Sequence, residues 1–295
     1  MTASHLISMN KKGLIVKGIG GFYYVKTDDN EIIECRARGV FRKDGITPLV
    51  GDFAEVSDET GGFFLSSIAP RKNELVRPAV ANLDQVIIVA AVCSPEPDTV
   101  LLDKMTVAAE LRDIKPVICI NKSDLADTSR LKKIYGKTGY PVIVTCAESG
   151  EGIDELKSML SGKLSAFAGN SGVGKSSLMN RLMPHKVMET GEVSRIERGR
   201  HTTRHAELME LEGGALVIDT PGFGSFEVDT IEAEELKDYF PEFYPYEGSC
   251  RFSGCNHVSE PDCAVIAAVK SKTVSKSRHK SYCQLFENLK SIKKW

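Results

Sequence analysis

Residues 169–176 read GNSGVGKS, a glycine-rich stretch in the central part of the chain. It follows an apolar run at 164–168 and opens a helical pattern at 175–182, which is the setting that a phosphate-binding loop requires. The glycines let backbone N–H groups converge on phosphate oxygens, and the helix N-terminus adds the positive end of its dipole. A chance glycine-rich turn is disfavoured by the flanking strand and helix, so the predicted ligand is a nucleoside triphosphate.

Each position of this loop has an expected role. Lys175 should reach the β and γ phosphates, and the Ser176 hydroxyl should hold Mg²⁺. The predicted contact residues are Gly169, Asn170, Ser171, Gly172, Val173, Gly174, Lys175, Ser176 and Ser177.

Around this loop, apolar strand patterns alternate with helical patterns. Strands that are apolar on both faces and interleaved with helices indicate a parallel sheet covered on both sides. The predicted strands are 85–92, 117–120, 142–145, 164–168 and 216–218, and the predicted helices include 101–111, 153–160 and 175–182. In the C-terminal region, helices are predicted at 233–239, 264–270 and 280–290.

A second motif, Asn121-Lys122-Ser123-Asp124, follows the strand at 117–120 and matches the N-K-x-D element by which P-loop GTPases read guanine. The Asp124 carboxylate can accept from both N1–H and the 2-amino group of guanine, whereas adenine has neither donor. Lys122 would pack along the base, and Asn121 would hold the loop and the base edge. Asp124 therefore disfavours an unrelated P-loop ATPase or kinase.

The segment Thr145-Cys146-Ala147 follows the next strand and resembles the element that backs guanine in such proteins. The Ala147 N–H would meet the guanine oxygen. We include Cys146 and Ala147 among the predicted nucleotide contacts.

The sequence Asp219-Thr-Pro-Gly222 matches the GTPase D-x-x-G element. Asp219 would hold Mg²⁺ through water, and the Gly222 N–H would meet the γ phosphate. Between this element and the phosphate loop lies the segment 199–203, in which Thr203 is favoured over Thr202 as the threonine that closes over Mg²⁺.

The residue after Gly222 is Phe223, where many GTPases carry a glutamine that orients the attacking water. The nearest group that can orient water is His201, with His205 as the second candidate and His185 further away. The alternative is that His201 packs in a loop or contacts RNA.

The order of these elements is unusual, because the base-reading elements precede the phosphate loop. The same sheet can be built if the chain is circularly permuted, since domain termini are often close together. The chain then passes from the switch at 222–225 directly into the C-terminal region, so a partner bound there can act on the switch.

The N-terminal region reads as five short strands, at 14–19, 22–27, 32–38, 52–56 and 63–68. This pattern predicts a small closed barrel of the OB type. Its aromatic and basic residues could form a stacking face with phosphate contacts, or could be core aromatics beside ordinary surface charge. These residues are Phe22, Tyr23, Tyr24, Phe41, Arg36, Arg38, Arg42 and Lys43.

The C-terminal region carries Cys250, Cys255, His257 and Cys263 in the pattern C-x4-C-x-H-x5-C. Three thiolates and one imidazole form a closed tetrahedral Zn²⁺ set, so a structural zinc is predicted. Free thiols beside a surface histidine are the disfavoured alternative.

Composition and charge narrow the function classes further. The chain has 295 residues and a formal net charge of −2, and its longest apolar run, 86–93, is too short to cross a bilayer. Residues 227–247 hold eight acids and one base, and residues 264–295 hold eight bases and one acid. We expect the basic tail, at Lys270, Lys272, Lys276, Arg278 and Lys280, to contact phosphates.

Together these features resemble the circularly permuted, small-ribosomal-subunit-dependent GTPases of bacteria, the RsgA (YjeQ/YloQ) family. The resemblance implies a multidomain chain. An OB-like barrel would occupy 1–72, with 1–10 expected to be flexible. A circularly permuted α/β P-loop GTPase domain would follow at 73–228, and a helical zinc-binding domain at 229–295.

The resemblance also implies a function. The chain would be a cytoplasmic factor that checks late maturation of the 30S subunit, contacts 16S rRNA and hydrolyses GTP quickly only on the subunit. The expected catalytic residues are His201, Thr203 and Lys175, and the expected cofactors are GTP/GDP, Mg²⁺ and one structural Zn²⁺. Mg²⁺ would be held by Ser176, Thr203 and Asp219. We expect a monomer with no DNA or membrane partner. The alternative function is a GTP-gated rRNA-binding module in which hydrolysis is incidental.

Overall fold

The N-terminal region is a closed five-stranded barrel. The computed structural model describes residues 10–76, 79–183, 207–218 and 228–292. The barrel strands follow one another in the order β1-β2-β3-β5-β4, and β1 pairs antiparallel with β4 to close the barrel. The predicted barrel is therefore confirmed. Its elements are β1 (Lys11–Ile19), β2 (Phe22–Thr27), β3 (Ile32–Ala37), α1 (Gly39–Lys43), β4 (Phe53–Glu59) and β5 (Gly62–Ile68).

The barrel core is built from alternate residues of its strands, because successive side chains of a strand point to opposite faces. Phe41, on the short helix α1, is also buried in this core, and Tyr23 packs against it. For Phe41 the core interpretation is therefore correct. The buried members are Ile15, Val25, Ile33, Cys35, Phe41, Ala54, Val56 and Leu65.

A two-stranded antiparallel sheet, β6 (Glu74–Val76) and β7 (Ala79–Ala81), follows the barrel. Next to it, the fully buried Asp52 side chain accepts from Arg71 Nε at 2.7 Å and from Arg71 Nη2 at 2.8 Å. A bidentate arginine–carboxylate pair of this kind fixes the relative orientation of the two segments.

The central region is a six-stranded sheet in the order β10-β9-β8-β11-β13-β12. The pairs β10–β9, β9–β8 and β11–β13 are parallel, and β12 is antiparallel to β13. Every residue of β8 is buried, as expected for a strand covered on both faces. The strands are β8 (Gln85–Ala91), β9 (Lys115–Asn121), β10 (Val142–Val144), β11 (Leu164–Ala168), β12 (Leu208–Leu211) and β13 (Ala215–Ile218).

Four helices lie in the described part of this region: α2 (Thr99–Glu110), α3 (Ser129–Tyr135), α4 (Ile153–Leu160) and α5 (Lys175–Leu182). The sequence predictions for α2, α4 and α5 are confirmed within two residues, whereas α3 was not predicted. The loops after β9, β10 and β11 leave the carboxyl ends of their strands, which is where open α/β sheets bind ligands.

The C-terminal region is helical, and residues 228–292 contain no strand. The sequence predicted helices at 233–239, 264–270 and 280–290. The first is a 3-10 helix, and the last begins four residues earlier than predicted. Among the described helices, none combines the length and apolar character needed to cross a bilayer. The elements are two 3-10 helices, Ala233–Tyr239 and Pro241–Tyr246, followed by α6 (Ala264–Lys270) and α7 (Lys276–Ser291).

Candidate functional site

The phosphate loop passes close to two neighbouring segments. Gly169 has a φ of +139°, and a Cβ there would lie 2.3 Å from the Val89 carbonyl oxygen. Gly174 has a φ of +96°, and a Cβ there would lie 2.2 Å from Asn121 Nδ2. Both positions therefore need glycine for conformation and for space.

Lys175 is the first residue of α5 and folds back over the phosphate loop. Its Nζ donates to the Gly169 carbonyl at 2.7 Å and to the Asn170 carbonyl at 2.8 Å. Burial lowers the pKa of this ammonium. The Ser176 side chain is exposed one residue further on. The Lys175 ammonium and the Ser176 hydroxyl therefore both lie at the start of α5.

Asn121 is the point at which three loops meet. It is buried, and its Nδ2 donates to the Val173 carbonyl at 2.9 Å. Its Oδ1 accepts from Thr145 Oγ1 at 3.1 Å and from the Ala147 N–H at 3.3 Å. One amide therefore joins the base-reading loop to the phosphate loop and to the segment predicted to back the base. The sequence anticipated that Asn121 holds its own loop, but not this link to Val173.

Asp124 is exposed, and its Oδ1 accepts from Cys146 Sγ at 3.0 Å. The Ser123 N–H donates to the Thr145 carbonyl at 3.2 Å, and the Lys122 ammonium donates to the Ser94 carbonyl. The predicted base-contacting residues therefore lie together, with the Asp124 carboxylate oriented by a thiol. In this arrangement the Ala147 N–H is directed to Asn121 Oδ1.

Arg181, near the end of α5, is a site residue that the sequence did not predict. Its Nε donates to the Ala147 carbonyl at 2.6 Å, and its guanidinium also reaches the Glu148 carbonyl. It ties the phosphate-loop helix to the loop after β10. A single arginine in a helical pattern gives no signal for such a contact.

The predicted switch residues lie outside the described residues. These are His201, Thr202, Thr203, Asp219 and Gly222, together with the alternatives His185 and His205 and the position Phe223. Their roles stay predictions.

Cys250, Cys255, His257 and Cys263 come together as one cluster. Their ligand atoms all lie within 4.8 Å of one another. His257 Nδ1 is 3.3 Å from Cys263 Sγ and 3.6 Å from Cys250 Sγ. Burial lowers the pKa of His257, which favours the neutral imidazole that binds metals. Three thiols and an imidazole at these separations fit a tetrahedral metal ion.

The backbone around this cluster supports its shape. The Glu260 carboxylate accepts from the N–H groups of Asn256, Val258 and Ser259 at 2.7, 2.8 and 3.0 Å. The Ala264 N–H donates to Cys250 Sγ at 3.3 Å. These bonds stabilise the segment that carries the four candidate ligand residues.

The structure corrects the predicted phosphate contact at Arg278. Its side chain is fully buried and donates to Asp103 Oδ1 at 2.8 Å and to Glu242 Oε1 at 2.6 Å. Burial opposes its charge, but the carboxylates of Asp103 and Glu242 raise its pKa well above the usual value. Arg278 therefore joins α7 to α2 and to the second 3-10 helix, and does not face a partner.

The basic residues of the barrel agree partly with a phosphate-binding face and partly with ordinary surface charge. The Arg36 guanidinium lies 4.7 Å from the ring centroid of Phe22. Arg38 pairs with Glu59 and donates to Ser57 Oγ at 3.1 Å. Arg42 and Lys43 are exposed. Part of this positive charge is thus neutralised by the barrel itself.

Known protein families match this chain separately in its N-terminal region and in its GTPase region. The family model described as RsgA GTPase matches residues 68–229, and that described as RsgA N-terminal domain matches residues 12–63. The chain belongs to the RsgA GTPase family. A curated relative of this RsgA-family chain is the small ribosomal subunit biogenesis GTPase RsgA of Caldanaerobacter subterraneus subsp. tengcongensis. It is 52% identical over 289 residues, which cover 96% of this chain and 97% of the relative.

Two solved structures resemble this RsgA-family chain over nearly all of its length. YjeQ from Thermotoga maritima has a TM-score of 0.84 and 39% identity, covering 97% of this chain and 100% of YjeQ. YloQ, described as a circularly permuted GTPase, has a TM-score of 0.81 and 37% identity, covering 100% of both chains. Family membership confirms the predicted GTP hydrolase and the permuted fold, and it implies GTP/GDP and Mg²⁺ as ligands.

Proposed function

We propose that this RsgA-family GTPase binds the small (30S) ribosomal subunit, assists or checks its late maturation, and hydrolyses GTP to GDP and phosphate in a subunit-stimulated way. The names of its relatives support this proposal, since they are called small ribosomal subunit biogenesis GTPases. The observation that carries its nucleotide-binding part is the bond from Asn121 Nδ2 to the Val173 carbonyl, because it holds the loop that would read guanine against the loop that would hold phosphates.

In this proposal the base and the phosphates are bound from opposite sides of Asn121. Asp124 reads N1–H and the 2-amino group, Lys122 covers the base, and Cys146 orients the Asp124 carboxylate. Binding of guanine would give the Ala147 N–H a second acceptor beside Asn121 Oδ1. The phosphates are held by the backbone of 169–174 and by Lys175, whose ammonium exchanges two loop carbonyls for phosphate oxygens.

Mg²⁺ would be held by the Ser176 hydroxyl, with Thr203 and Asp219 completing the protein contribution. When bound, the ion neutralises charge on the β and γ phosphates. His201 orients the attacking water or accepts its proton, which is the role that Phe223 cannot fill. Lys175 stabilises negative charge on the transferred phosphoryl group.

The proposed metal at Cys250, Cys255, His257 and Cys263 is one structural Zn²⁺. Four protein ligands close a tetrahedral site and leave no position for a reacting water. We place the domain boundaries near 72 and 228, so that the zinc-binding region begins after the D-x-x-G switch. The protein would act as a monomer in the cytoplasm, with 16S rRNA as its nucleic-acid partner.

Two measurements test this proposal together. In competition binding, GTP and GDP should displace a fluorescent guanine nucleotide, whereas ATP should not. In sucrose-gradient sedimentation with a non-hydrolysable GTP analogue, the chain should travel with small subunits and not with large subunits. Displacement by ATP, or equal binding to both subunits, would contradict it.

A further inference from the structure

Two segments of the chain carry exposed positive charge without any acid. Residues 128–147 and residues 263–286 contain no aspartate or glutamate. Helix α3 and the turn after it lie in the first segment, and the α6–α7 turn lies in the second. The exposed cations are Arg130, Lys132, Lys133 and Lys137 in the first segment, and Lys270, Lys272, Lys276 and Lys280 in the second.

The fold brings these two segments together. The Lys137 ammonium donates to the Lys272 carbonyl, which places the turn after α3 against the turn before α7. A few residues away, the Tyr140 ring centroid lies 5.9 Å from the buried Arg278 guanidinium. The eight cations therefore belong to two adjoining segments, which we call the α3–α7 basic surface.

These cations differ from the four lysines on β1 and β2 of the barrel in one respect that matters for binding. Within the described part of the chain, none of the eight forms an ion pair with a carboxylate. In the barrel, by contrast, Lys11, Lys12, Lys17 and Lys26 are each paired with a glutamate. Charge that the protein has already neutralised contributes little to binding an external anion.

The character of the surface favours RNA over protein as its partner. A specific protein interface has an apolar core with large buried anchors. Neither segment contributes to the large exposed hydrophobic side chains of the described residues, which include Leu125, Tyr244 and Phe252. Unpaired lysines on a surface without apolar anchors suit a phosphate backbone, to which they bind as mobile point charges.

We propose that the α3–α7 basic surface binds the phosphate backbone of RNA, and that it is shared between the GTPase region and the helical C-terminal region. This inference rests on the proposed binding to the small subunit and adds the surface that makes the contact. It assigns the larger part of the salt-sensitive binding to α3 and the α6–α7 turn, and the smaller part to the ion-paired lysines of the barrel.

The test compares two variants that each remove four positive charges. The test variant carries Lys132→Gln, Lys133→Gln, Lys272→Gln and Lys276→Gln, all at exposed positions that hold no described side-chain bond. The matched control carries Lys11→Gln, Lys12→Gln, Lys17→Gln and Lys26→Gln. Binding of the full-length chain to small subunits and to protein-free 16S rRNA is measured over a series of salt concentrations, and guanine-nucleotide affinity reports on folding.

The test variant should bind both small subunits and 16S rRNA more weakly. The slope of log K against log salt should fall in magnitude by roughly 3, since each phosphate that is no longer neutralised removes about 0.7–0.9 from it. The control should stay close to the parent, and nucleotide affinity should be unchanged in both. An equal loss of binding in the two variants, or parent-like binding by the test variant, would overturn the proposal.

Two further outcomes are informative. One distinguishes a protein partner from RNA, and the other distinguishes failure of this surface from failure of the proposed function. If the test variant no longer binds subunits but still binds 16S rRNA like the parent, the partner is an acidic protein and the RNA assignment is wrong. If the parent chain binds neither subunits nor 16S rRNA, the proposed function itself fails, and this surface fails with it.

Discussion

Arg278 Nη1 donates to Asp103 Oδ1 at 2.8 Å, and both side chains are fully buried. Arg278 also forms two bonds with Glu242, at 2.6 and 3.1 Å, and lies 4.5 Å from the ring centroid of Phe240. One guanidinium thus joins the C-terminal helix to α2 of the GTPase region. Because burying charge is costly, this arrangement is stable only while every partner is present.

Removing Arg278 should therefore destabilise the protein. Arg278→Met leaves two carboxylates buried without a cation, and the free energy of unfolding should fall by about 3–5 kcal/mol. The control Lys280→Met, on the exposed side of the same helix, should change it by less than about 0.5 kcal/mol. Urea unfolding of both variants measures this. Equal midpoints for Arg278→Met and the parent would show that the ion-pair cluster is not needed for stability.

Asp124→Asn should change the nucleotide specificity from guanine to xanthine. An amide offers an N–H where the carboxylate accepted, so GTP affinity should fall by roughly 10²-fold and xanthosine triphosphate should bind instead. Asp127→Asn is the matched control, because Asp127 lies in the same loop but its carboxylate bonds Ser129, the first residue of α3. Fluorescent-nucleotide titration reports both affinities. Parent-like GTP binding by Asp124→Asn would show that another residue reads the base.

Metal analysis of the purified chain should find one Zn²⁺ per chain. Cys255→Ser should lose the metal and disorder the C-terminal region while nucleotide binding is retained. Cys283→Ser is the control, since this thiol lies near His279 and outside the four-residue cluster. A chain that contains neither zinc nor iron would contradict a metal site, because thiolate sites can take either ion.

His201→Ala should keep GTP binding and subunit binding but lose most of the subunit-stimulated turnover. The expected loss is roughly 10²–10⁴-fold, the usual contribution of a positioned acid–base group. His185→Ala, further from the switch threonines in the sequence, should turn over GTP near the parent rate. If His201→Ala hydrolyses GTP on small subunits as quickly as the parent, the water is positioned by His205 or by the ribosome.

The sequence predicted the parts of the fold that local patterns encode. The alternating strands of the barrel, the apolar strands of the sheet and the phosphate loop each carry a periodicity or a motif within a few residues. Helix α3 was missed because it is only seven residues long, so its buried positions Leu131, Ile134 and Tyr135 show the helical spacing only once.

Contacts between distant segments could not be predicted in this way. Arg278 was assigned to the surface because it lies among lysines, whereas its partners are 36 and 175 residues away in the chain. The bond from Asn121 to Val173 spans 52 residues. A motif identifies which residues bind a nucleotide, but only the fold shows which side chain holds two motifs together.

We propose that this GTPase is stimulated by the small ribosomal subunit. The most direct test is the rate of GTP turnover by the full-length chain alone, with small subunits, with large subunits and with protein-free 16S rRNA. We predict slow turnover by the chain alone, a large stimulation by small subunits, and little or none by large subunits or by 16S rRNA. Turnover that is the same in all four conditions, although the chain binds small subunits, would contradict the claim and favour a GTP-gated rRNA-binding module.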